Sequence, residues 1–212
     1  MNGLLISFEG IDFCGKTVQS QLLHDKIKQE WKSSQDRPVF IFREPGGTDI
    51  SEKVRDILLD RSLVMMHPIS ELLLYSAARS QLIAEKIIPK KENGAVIVCD
   101  RFSDSTIAYQ GYGRGIDLKL IEMANSIGTH SIRPDITFII DLDPSVAFER
   151  GRSAGLERDR LESENADFYD RVRQGFLQIS RNEPDRVVVV DGTPAKENMF
   201  AEVWRIVAPR LP

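Results

Sequence analysis

The clearest chemical capacity in this sequence lies in a glycine-rich segment near its N-terminus. Residues 10–17 read Gly-Ile-Asp-Phe-Cys-Gly-Lys-Thr and fit the pattern G-x-x-x-x-G-K-[ST] in full. In such a segment the backbone N–H groups point at phosphate oxygens, the lysine reaches the outer phosphates, and the threonine can ligate Mg²⁺. We therefore predict a site for a nucleoside triphosphate. Its predicted residues are Gly10, Ile11, Asp12, Phe13, Cys14, Gly15, Lys16, Thr17 and Val18.

A second polar pair follows the apolar run at residues 95–99, which predicts a buried strand. In open parallel sheets, ligands bind at the carboxyl ends of the strands, so Asp100 and Arg101 are expected near the glycine-rich segment. Asp100 is suited to hold Mg²⁺ directly or through water, and the Arg101 guanidinium offers a rigid fork for a second phosphate. An ordinary Asp–Arg surface pair is the alternative interpretation.

Further polar side chains fall at helical spacing. Thr106, Tyr109 and Gln110 lie three and four residues apart, so a hydroxyl, a phenol and an amide would face the same way. Tyr75 and Arg79 are also four apart and could stack on and hydrogen-bond a nucleobase. Both patterns also suit a solvated helix face, so neither identifies a ligand by itself.

A charged stretch late in the chain is typical of a mobile lid. Residues 151–166 are dense in charge and contain Gly155. A lid rich in arginine would exclude water and bring positive charge to a transferring phosphoryl group, although a salt-bridged helix end has the same composition. The lid is predicted at about residues 150–163, with Arg150, Arg152, Arg158 and Arg160 as its arginines.

The elements that would position these residues alternate along the chain. Apolar runs predict strands at residues 3–8, 38–43, 95–99, 135–141 and 186–190. Strands that are apolar throughout and separated by helices favour a parallel sheet covered on both faces, and we interpret residues 1–212 as a single domain. Helices are predicted at residues 19–31, 52–59, 71–88 (stopped near Pro89), 118–127, 144–152 and 167–179, with Ser103 or Asp104 capping a short one and Thr193-Pro194 starting the last.

Composition excludes several classes of protein. The chain has 212 residues, of which 42% are hydrophobic and 28% charged, as in ordinary globular proteins. No apolar run approaches the roughly 20 residues of a membrane helix, so we predict no membrane partner. The net charge of −4 argues weakly against nucleic-acid binding. Two cysteines and three scattered histidines suit a reducing cytosol and provide no metal-binding spacing.

Taken together and in order, these motifs resemble those of thymidylate kinases, in particular the bacterial branch that carries arginines in its lid. The resemblance extends over about residues 4–176. It implies an α/β, P-loop kinase fold with a five-stranded parallel sheet flanked by helices on both faces. It further implies phosphorylation of dTMP to dTDP with ATP and Mg²⁺ in dTTP biosynthesis, by a cytoplasmic homodimer. The residues that carry it are 8–12, 15–17, 43–48, 77–79, 100–102 and 108–111.

The resemblance also implies roles for individual residues. Arg101, helped by Arg55, would grip the acceptor phosphate, and Tyr75 would stack on thymine. The implied catalytic residues are Lys16, Asp12, Arg101, Arg152, Arg158 and Arg160. The implied substrate-binding residues are Asp12, Glu44, Arg55, Tyr75, Arg79, Arg101, Ser105, Thr106, Tyr109 and Gln110, and the metal ligands are Thr17 and Asp100.

The glycine-rich segment departs from the family pattern, which has small residues at positions 13 and 14 and threonine at 18. If position 13 needs a positive φ, Phe13 costs about 1–2 kcal/mol, and its ring could crowd the phosphates. Val18 removes a hydroxyl donor, a loss of about 0.5–1.5 kcal/mol. Cys14 stands beside a predicted helix N-terminus, which predicts a lowered thiol pKa. Two alternatives stay open: a kinase for another nucleotide, and a non-catalytic relative that only binds ATP.

Overall fold

The computed structural model describes residues 3–31, 38–155 and 159–211. Its strands are β1 (Leu4–Glu9), β2 (Val39–Arg43), β3 (Val96–Asp100), β4 (Ile136–Asp141) and β5 (Val187–Asp191). They form one five-stranded sheet in the order β2-β3-β1-β4-β5, and each neighbouring pair is parallel. The predicted α/β class with a five-stranded parallel sheet is confirmed.

The helices follow the predicted alternation with the strands. No helix in the described ranges is long and apolar enough to span a membrane. Two π-helical turns, Ile83–Ile87 and Ile107–Gly113, interrupt the α-helical geometry. The α-helices are α1 (Lys16–Glu30), α2 (Asp49–Leu59), α3 (Pro68–Leu82), α4 (Ile88–Glu92), α5 (Ser103–Thr106), α6 (Leu118–Gly128), α7 (Pro144–Ser153), α8 (Ala166–Asn182) and α9 (Lys196–Val207).

Several predicted helix boundaries are wrong: α1, α2 and α3 each begin three residues earlier than predicted, and α8 ends three residues later. The helix expected to stop near Pro89 continues through α4, because the wide turn Ile83–Ile87 resets the register and leaves proline in the first turn of α4, where a missing N–H is tolerated. The last helix begins at Lys196, since Thr193 instead donates from its backbone N and its Oγ1 to Asp191, each at 2.9 Å. No side chain caps α5, whose N-cap position is Phe102.

Apolar residues on both faces of the sheet anchor the helices. Leu5 belongs to a buried cluster that includes Leu82 of α3 and Ile83 of the π-helical turn that follows it. The next residue, Ile6, points to the opposite face and belongs to a cluster with Leu23 of α1 and Val203 of α9. Successive strand residues face opposite sides, so β1 is covered by helices on both.

The strand register brings several loops to one edge of the sheet. Phe8 of β1 and Arg43 of β2 both pair with Asp100, the last residue of β3. The backbone N of Glu44 donates to the carbonyl of Asp100, and the backbone N of Arg101 donates to the carbonyl of Phe8, each at 2.9 Å. The segments that follow β1, β2 and β3 therefore leave the sheet side by side.

Candidate functional site

A cavity of about 510 Å³ opens at the carboxyl edge of the sheet. It brings together residues from the loop after β1, the segments after β2 and β3, α3 and the π-helical turn Ile107–Gly113. Gly10, Ile11 and Cys14 belong to the same loop but lie beneath the cavity surface. The predicted site residues that line it are Asp12, Phe13, Gly15, Lys16, Thr17, Val18, Glu44, Arg55, Tyr75, Arg79, Asp100, Arg101, Ser105, Thr106, Tyr109 and Gln110.

The loop between β1 and α1 has the curled backbone that phosphate binding requires. Gly10 has a φ of 134° and Gly15 a φ of 103°, values that side-chain-bearing residues rarely adopt. Because α1 begins at Lys16, its unpaired N–H groups and the positive end of its dipole face the loop. Lys16 Nζ donates to the carbonyl of Ile11 at 3.2 Å and lies 3.7 Å from Asp12 Oδ1.

Phe13 occupies the left-handed region of the backbone, with a φ of 62°. Its ring meets the ring of Phe148 edge-on, with centroids 5.8 Å apart. It also lies against Gly151 of α7, where an added Cβ would stand 2.8 Å from the Phe13 Cγ. The ring therefore packs between α7 and the glycine-rich loop of residues 10–17, which we call the phosphate loop. This packing offsets the expected backbone cost of about 1–2 kcal/mol.

The predicted low pKa of Cys14 is wrong. The thiol is fully buried, and this burial raises the pKa of Cys14 despite the nearby Lys16 ammonium. The sulfur fills the inside of the loop, because a Cβ added at Gly10 would lie 2.8 Å from it. Cys14 is a packing residue of the phosphate loop.

Thr17 and Asp100, the two residues predicted to hold Mg²⁺, are in contact. Thr17 Oγ1 donates to Asp100 Oδ2 at 2.6 Å, and the buried Asp100 Oδ1 has no hydrogen-bond partner among the described residues. A hydroxyl beside a carboxylate with an unused oxygen fits Mg²⁺, which usually takes one or two protein ligands and completes its shell with phosphate oxygens and water. Across the described ranges, no three His, Cys, Asp or Glu side chains gather into a metal cluster.

Arg101 connects the phosphate loop to the segment after β3. Its φ of 71° is left-handed. The guanidinium donates to the Gly10 carbonyl at 2.9 Å, to Ser105 Oγ and Tyr109 Oη at 3.0 Å each, and to Asp12 Oδ1 at 2.5 Å. A planar cation is thus held rigidly at the floor of the cavity.

Asp12 lies between Lys16 of the phosphate loop and Arg101 of the segment after β3, and it pairs with both. Burial acts to raise the pKa of Asp12, but Arg101 and Lys16 outweigh it and hold that pKa well below its usual range. The hydroxyls of Tyr109 and Tyr169 donate to Asp12 Oδ2 at 2.8 and 3.1 Å. Asp12 is therefore a permanent negative charge between two cations.

Glu9, which was not predicted as a site residue, binds the segment that follows Arg101. It is fully buried at the end of β1. Its two oxygens accept from the backbone N of Phe102 at 2.7 Å and from Ser105 Oγ at 2.5 Å. Burial first, and the neighbouring Asp104 second, raise the pKa of Glu9 to about 8.

Arg79 is the centre of a buried polar cluster on the opposite wall. Its Nε donates to Glu44 Oε2 at 2.6 Å, and its NH1 donates to Thr106 Oγ1 at 2.9 Å and Asn125 Oδ1 at 3.2 Å. Its NH2 donates to the Phe102 carbonyl at 3.1 Å. Within the part of the chain that the structure describes, the buried Glu44 Oε1 has no hydrogen-bond partner, so it is available to a ligand.

Arg55 and Tyr75, which were also predicted to bind the acceptor, line the same cavity. Arg55 NH1 donates to the carbonyl of Pro45 at 2.8 Å, and the Glu44–Pro45 peptide bond is cis. Tyr75 lines the cavity from α3, where burial raises the pKa of its phenol well above the usual range. Tyr75 and Arg79 do face the same cavity, as their spacing predicted.

Comparison with known proteins identifies the family to which this chain belongs. The family model for thymidylate kinase matches residues 8–203. The chain belongs to the thymidylate kinase family. A thymidylate kinase from Caldanaerobacter subterraneus is 44% identical over 192 residues, which cover 91% of this chain and 88% of the relative. One from Trichormus variabilis is 40% identical over 100% of this chain and 98% of the relative. A thymidylate kinase crystal structure from Ehrlichia chaffeensis matches with a TM-score of 0.78 and 36% identity, covering 98% of this chain and 99% of that one.

In this member of the thymidylate kinase family, the arginines that the sequence predicts for a lid have different surroundings. Arg150 lines the cavity and donates to the carbonyl of Gly192 at 2.9 Å. Arg152 does not line it; the side chain is 72% exposed and pairs with Glu149 at 2.6 Å. Arg158 lies outside the described residues.

Arg160 is buried away from the cavity lining, in a cluster around Glu71 of α3. Its NH2 donates to Glu71 Oε2 at 2.7 Å and its Nε donates to the Leu58 carbonyl at 2.9 Å. Glu71 also accepts from Gln110 and Arg114. Arg160 thus fastens the lid segment to α3 and has no contact with the phosphate loop among the bonds of the described residues.

Two carboxylates of the predicted lid segment line the cavity, although the sequence did not single them out. Asp159 and Glu162 line the same cavity as Lys16. Burial raises the pKa of Glu162 to about 7. In the sequence they alternate with arginines and resemble the acidic half of a solvated charged segment, so only the fold distinguishes them.

Proposed function

We propose that this chain phosphorylates dTMP to dTDP with ATP, for dTTP synthesis in the cytoplasm. The observation that carries the proposal is that the phosphate loop and the Arg101 clamp line one cavity and share Asp12. The acceptor of such a reaction is already a phosphate oxyanion, so the protein must align two phosphates, exclude water and neutralise charge. A strong general base is not required.

On the donor side, Lys16 and the backbone N–H groups of residues 10–17 are the proposed partners of the ATP phosphates. Thr17 and Asp100 are the proposed magnesium ligands, a role supported by the unused, buried oxygen of Asp100. When bound, Mg²⁺ supplies neutralisation of phosphate charge. Lys16 adds a second, fixed positive charge, which burial in the cavity floor strengthens.

On the acceptor side, Arg101 and Arg55 are the proposed partners of the dTMP phosphate. The rigid anchoring of Arg101 supports this role, because a clamp that is already ordered loses little entropy on binding. Glu44 is proposed to lie at the junction of donor and acceptor, with its unpartnered Oε1 toward the substrate. Asp12 and Ser105 complete the phosphate and sugar end.

The remaining acceptor residues are proposed to read the nucleoside. Tyr75 would stack on thymine, while Arg79, Thr106 and Gln110 would hydrogen-bond its edge. Tyr109 would lie beneath the sugar and disfavour a 2′-hydroxyl. All of them line the same cavity, which supports their acting on one ligand.

Arg152 and Arg158 are the proposed lid arginines for the transferring phosphoryl group. The present partner of Arg152, Glu149, forms an exposed ion pair with it. Exposed pairs contribute about 0–1 kcal/mol, so Arg152 can turn toward a closed site at little cost. Arg160 is proposed to contribute through lid position, by its bond to Glu71.

A second copy of the chain is the proposed partner. Neighbouring α2, α3 and α6 expose large apolar side chains that a soluble monomer would normally bury. A symmetric homodimer would cover this face with the same face of its partner. The exposed residues are Ile57, Leu73, Leu120, Met123 and Ile127.

The test of this function is an assay of ADP release with ATP, Mg²⁺ and each of dTMP, dUMP, dCMP, dAMP and dGMP. We expect the highest kcat/KM with dTMP. The Lys16→Ala variant, purified in the same way, controls for contaminating kinases. Preference for another monophosphate would identify a kinase for a different nucleotide, and ATP binding without turnover would identify a non-catalytic relative.

A further inference from the structure

The amide of Gln110 has a fixed orientation. Gln110 is 2% exposed and lines the cavity from the π-helical turn Ile107–Gly113. Its Nε2 donates to Glu71 Oε1 at 2.9 Å. Within the described ranges no group donates to Gln110 Oε1, so the carbonyl oxygen is the half of the amide left for a ligand.

Glu71 imposes this orientation by its chemistry. It is 1% exposed and does not itself line the cavity. Burial acts to raise the pKa of Glu71, but the hydrogen bonds from Arg114, Gln110 and Arg160 outweigh it, and the pKa lies below its usual value. An ionised carboxylate has no hydrogen to donate, so only the NH₂ side of Gln110 can face it.

We infer that Glu71 is a positioning residue for base selectivity, an inference that rests on the proposed dTMP site. By holding the NH₂ side of Gln110, it presents a carbonyl acceptor to the base. A 4-keto pyrimidine carries an N–H at ring position 3 and satisfies that acceptor. Cytosine has an unprotonated N3, so two acceptors would face each other in a buried site, where unpaired polar groups are costly.

The other partners of Glu71 determine what a substitution would do. Arg114 NH2 and Arg160 NH2 donate to Oε2 at 3.1 and 2.7 Å, and Arg114 Nε donates to Oε1 at 3.2 Å. In E71Q the introduced amide keeps more of these bonds by turning its oxygen to the two NH2 groups, at the loss of the Arg114 Nε bond, and this places its NH₂ beside Gln110. Gln110 must then rotate its own carbonyl toward position 71 and its NH₂ into the cavity, where it suits the N3 of cytosine.

The test is the ratio of kcat/KM for dTMP to kcat/KM for dCMP. We expect this ratio to fall by about tenfold or more in E71Q, in line with the loss of one well-placed hydrogen bond and the gain of its opposite. R114K is the matched control: it loses the forked pair of bonds at 3.1 and 3.2 Å to the same carboxylate but keeps a positive charge beside it and leaves the Gln110 partner in place. Its ratio should stay within about twofold of wild type.

Two outcomes would overturn the inference: an unchanged ratio in E71Q with reduced kcat, or an equal fall of the ratio in R114K. Either would make Glu71 only a support of the lid and α3. If circular dichroism shows that E71Q does not fold, the wild-type protein is tested with N3-methyl-dTMP. This analogue should bind at least about tenfold more weakly than dTMP, and equal binding would contradict the inference. A wild-type protein that does not phosphorylate dTMP at all refutes the proposed function instead.

Discussion

At the scale of single residues, the site is built from cations that already have partners. Arg101 serves four acceptors with one planar fork, and Lys16 reaches the Ile11 carbonyl beside Asp12. Lysine in place of arginine would keep a charge but could not reach several acceptors in fixed directions. The geometry of the guanidinium is therefore as important as its charge.

Removal of either cation should impair the reaction. We expect Lys16→Ala and Arg101→Ala each to lower kcat/KM by at least about tenfold, because each loses charge stabilisation of a phosphate in the transition state. Lys28→Ala, on the exposed end of α1, is the control and should be unaffected. Steady-state kinetics with dTMP and ATP provides the measurement; a wild-type rate in either variant would remove that residue from the mechanism.

The burial of Glu9 predicts a dependence of stability on pH. Its pKa is about 8 in the folded chain against an ordinary 4.5, so the folded state keeps a proton that the unfolded state releases. This group therefore favours folding below about pH 4.5, and the benefit is lost as pH rises to about 8.

The Glu9→Gln variant lacks this titration. The Tm of the variant minus the Tm of wild type should increase as the pH rises from 5 to 8, because only wild type loses stability from this titration. Thermal melts at several pH values give the answer, with Glu197→Gln on the exposed first turn of α9 as the control. A difference in Tm that is constant across this range contradicts the prediction.

At the scale of elements, the phosphate loop and α7 depend on each other through one ring and one glycine. The Phe13 ring occupies the space where a side chain at residue 151 would begin. In Gly151→Ala the ring must move, and overpacking of this kind costs about 1–3 kcal/mol. We expect a lower Tm and a higher KM for ATP.

A double-mutant cycle tests the coupling of Phe13 and Gly151. The combined variant Phe13→Ala/Gly151→Ala should be more stable than the sum of the single effects, since the shortened side chain leaves room for the new methyl group. Ser153→Ala, exposed at the end of α7, is the control. Strict additivity would mean that the two residues do not interact energetically.

Local sequence pattern was sufficient for the elements and for the phosphate loop. The strands are continuous apolar runs, and the loop motif has fixed spacing, so both can be recognised within a short window. The path of the helix through Pro89 could not be predicted, because it depends on a wide turn that no local signal marks. The same holds for the turn Ile107–Gly113, which packs closely on α8: a Cβ at Gly113 would lie 2.7 Å from the Phe168 ring.

The candidate site was predictable where a motif names the residue and unpredictable where the residue acts through a distant partner. The predicted nucleotide-binding and metal-binding residues line the cavity, apart from three that lie beneath its surface. Of the arginines predicted for the lid, Arg152 and Arg160 do not line it. Glu9 and Glu71 were not predicted, because their hydrogen-bond partners, Ser105 and Gln110, are far from them in the sequence. No local spacing pattern connects residues that are so widely separated. Long-range pairing also explains the buried network of Ser7, Thr137 and Asp104, which no alternation pattern indicates.

At the scale of the whole molecule, the exposed apolar face predicts association. Leu73 on α3 is 58% exposed and Met123 on α6 is 55% exposed, and these two helices pack side by side. Introducing charge there should separate the proposed dimer, because burial of an unpaired charge is costly.

We expect Leu73→Lys and Met123→Lys to elute as monomers in size-exclusion chromatography with light scattering, where wild type elutes with twice the mass. Val146→Lys, 42% exposed on α7, is the control and should remain dimeric. A monomeric wild-type chain would contradict the proposed homodimer, whatever the variants do.

The bond between Arg101 and Asp12 has a consequence for turnover. If Arg101 binds the acceptor phosphate as proposed, it exchanges the Asp12 carboxylate for that phosphate and gains less binding free energy than an arginine without a partner would. Return of the guanidinium to Asp12 would then favour release of the product.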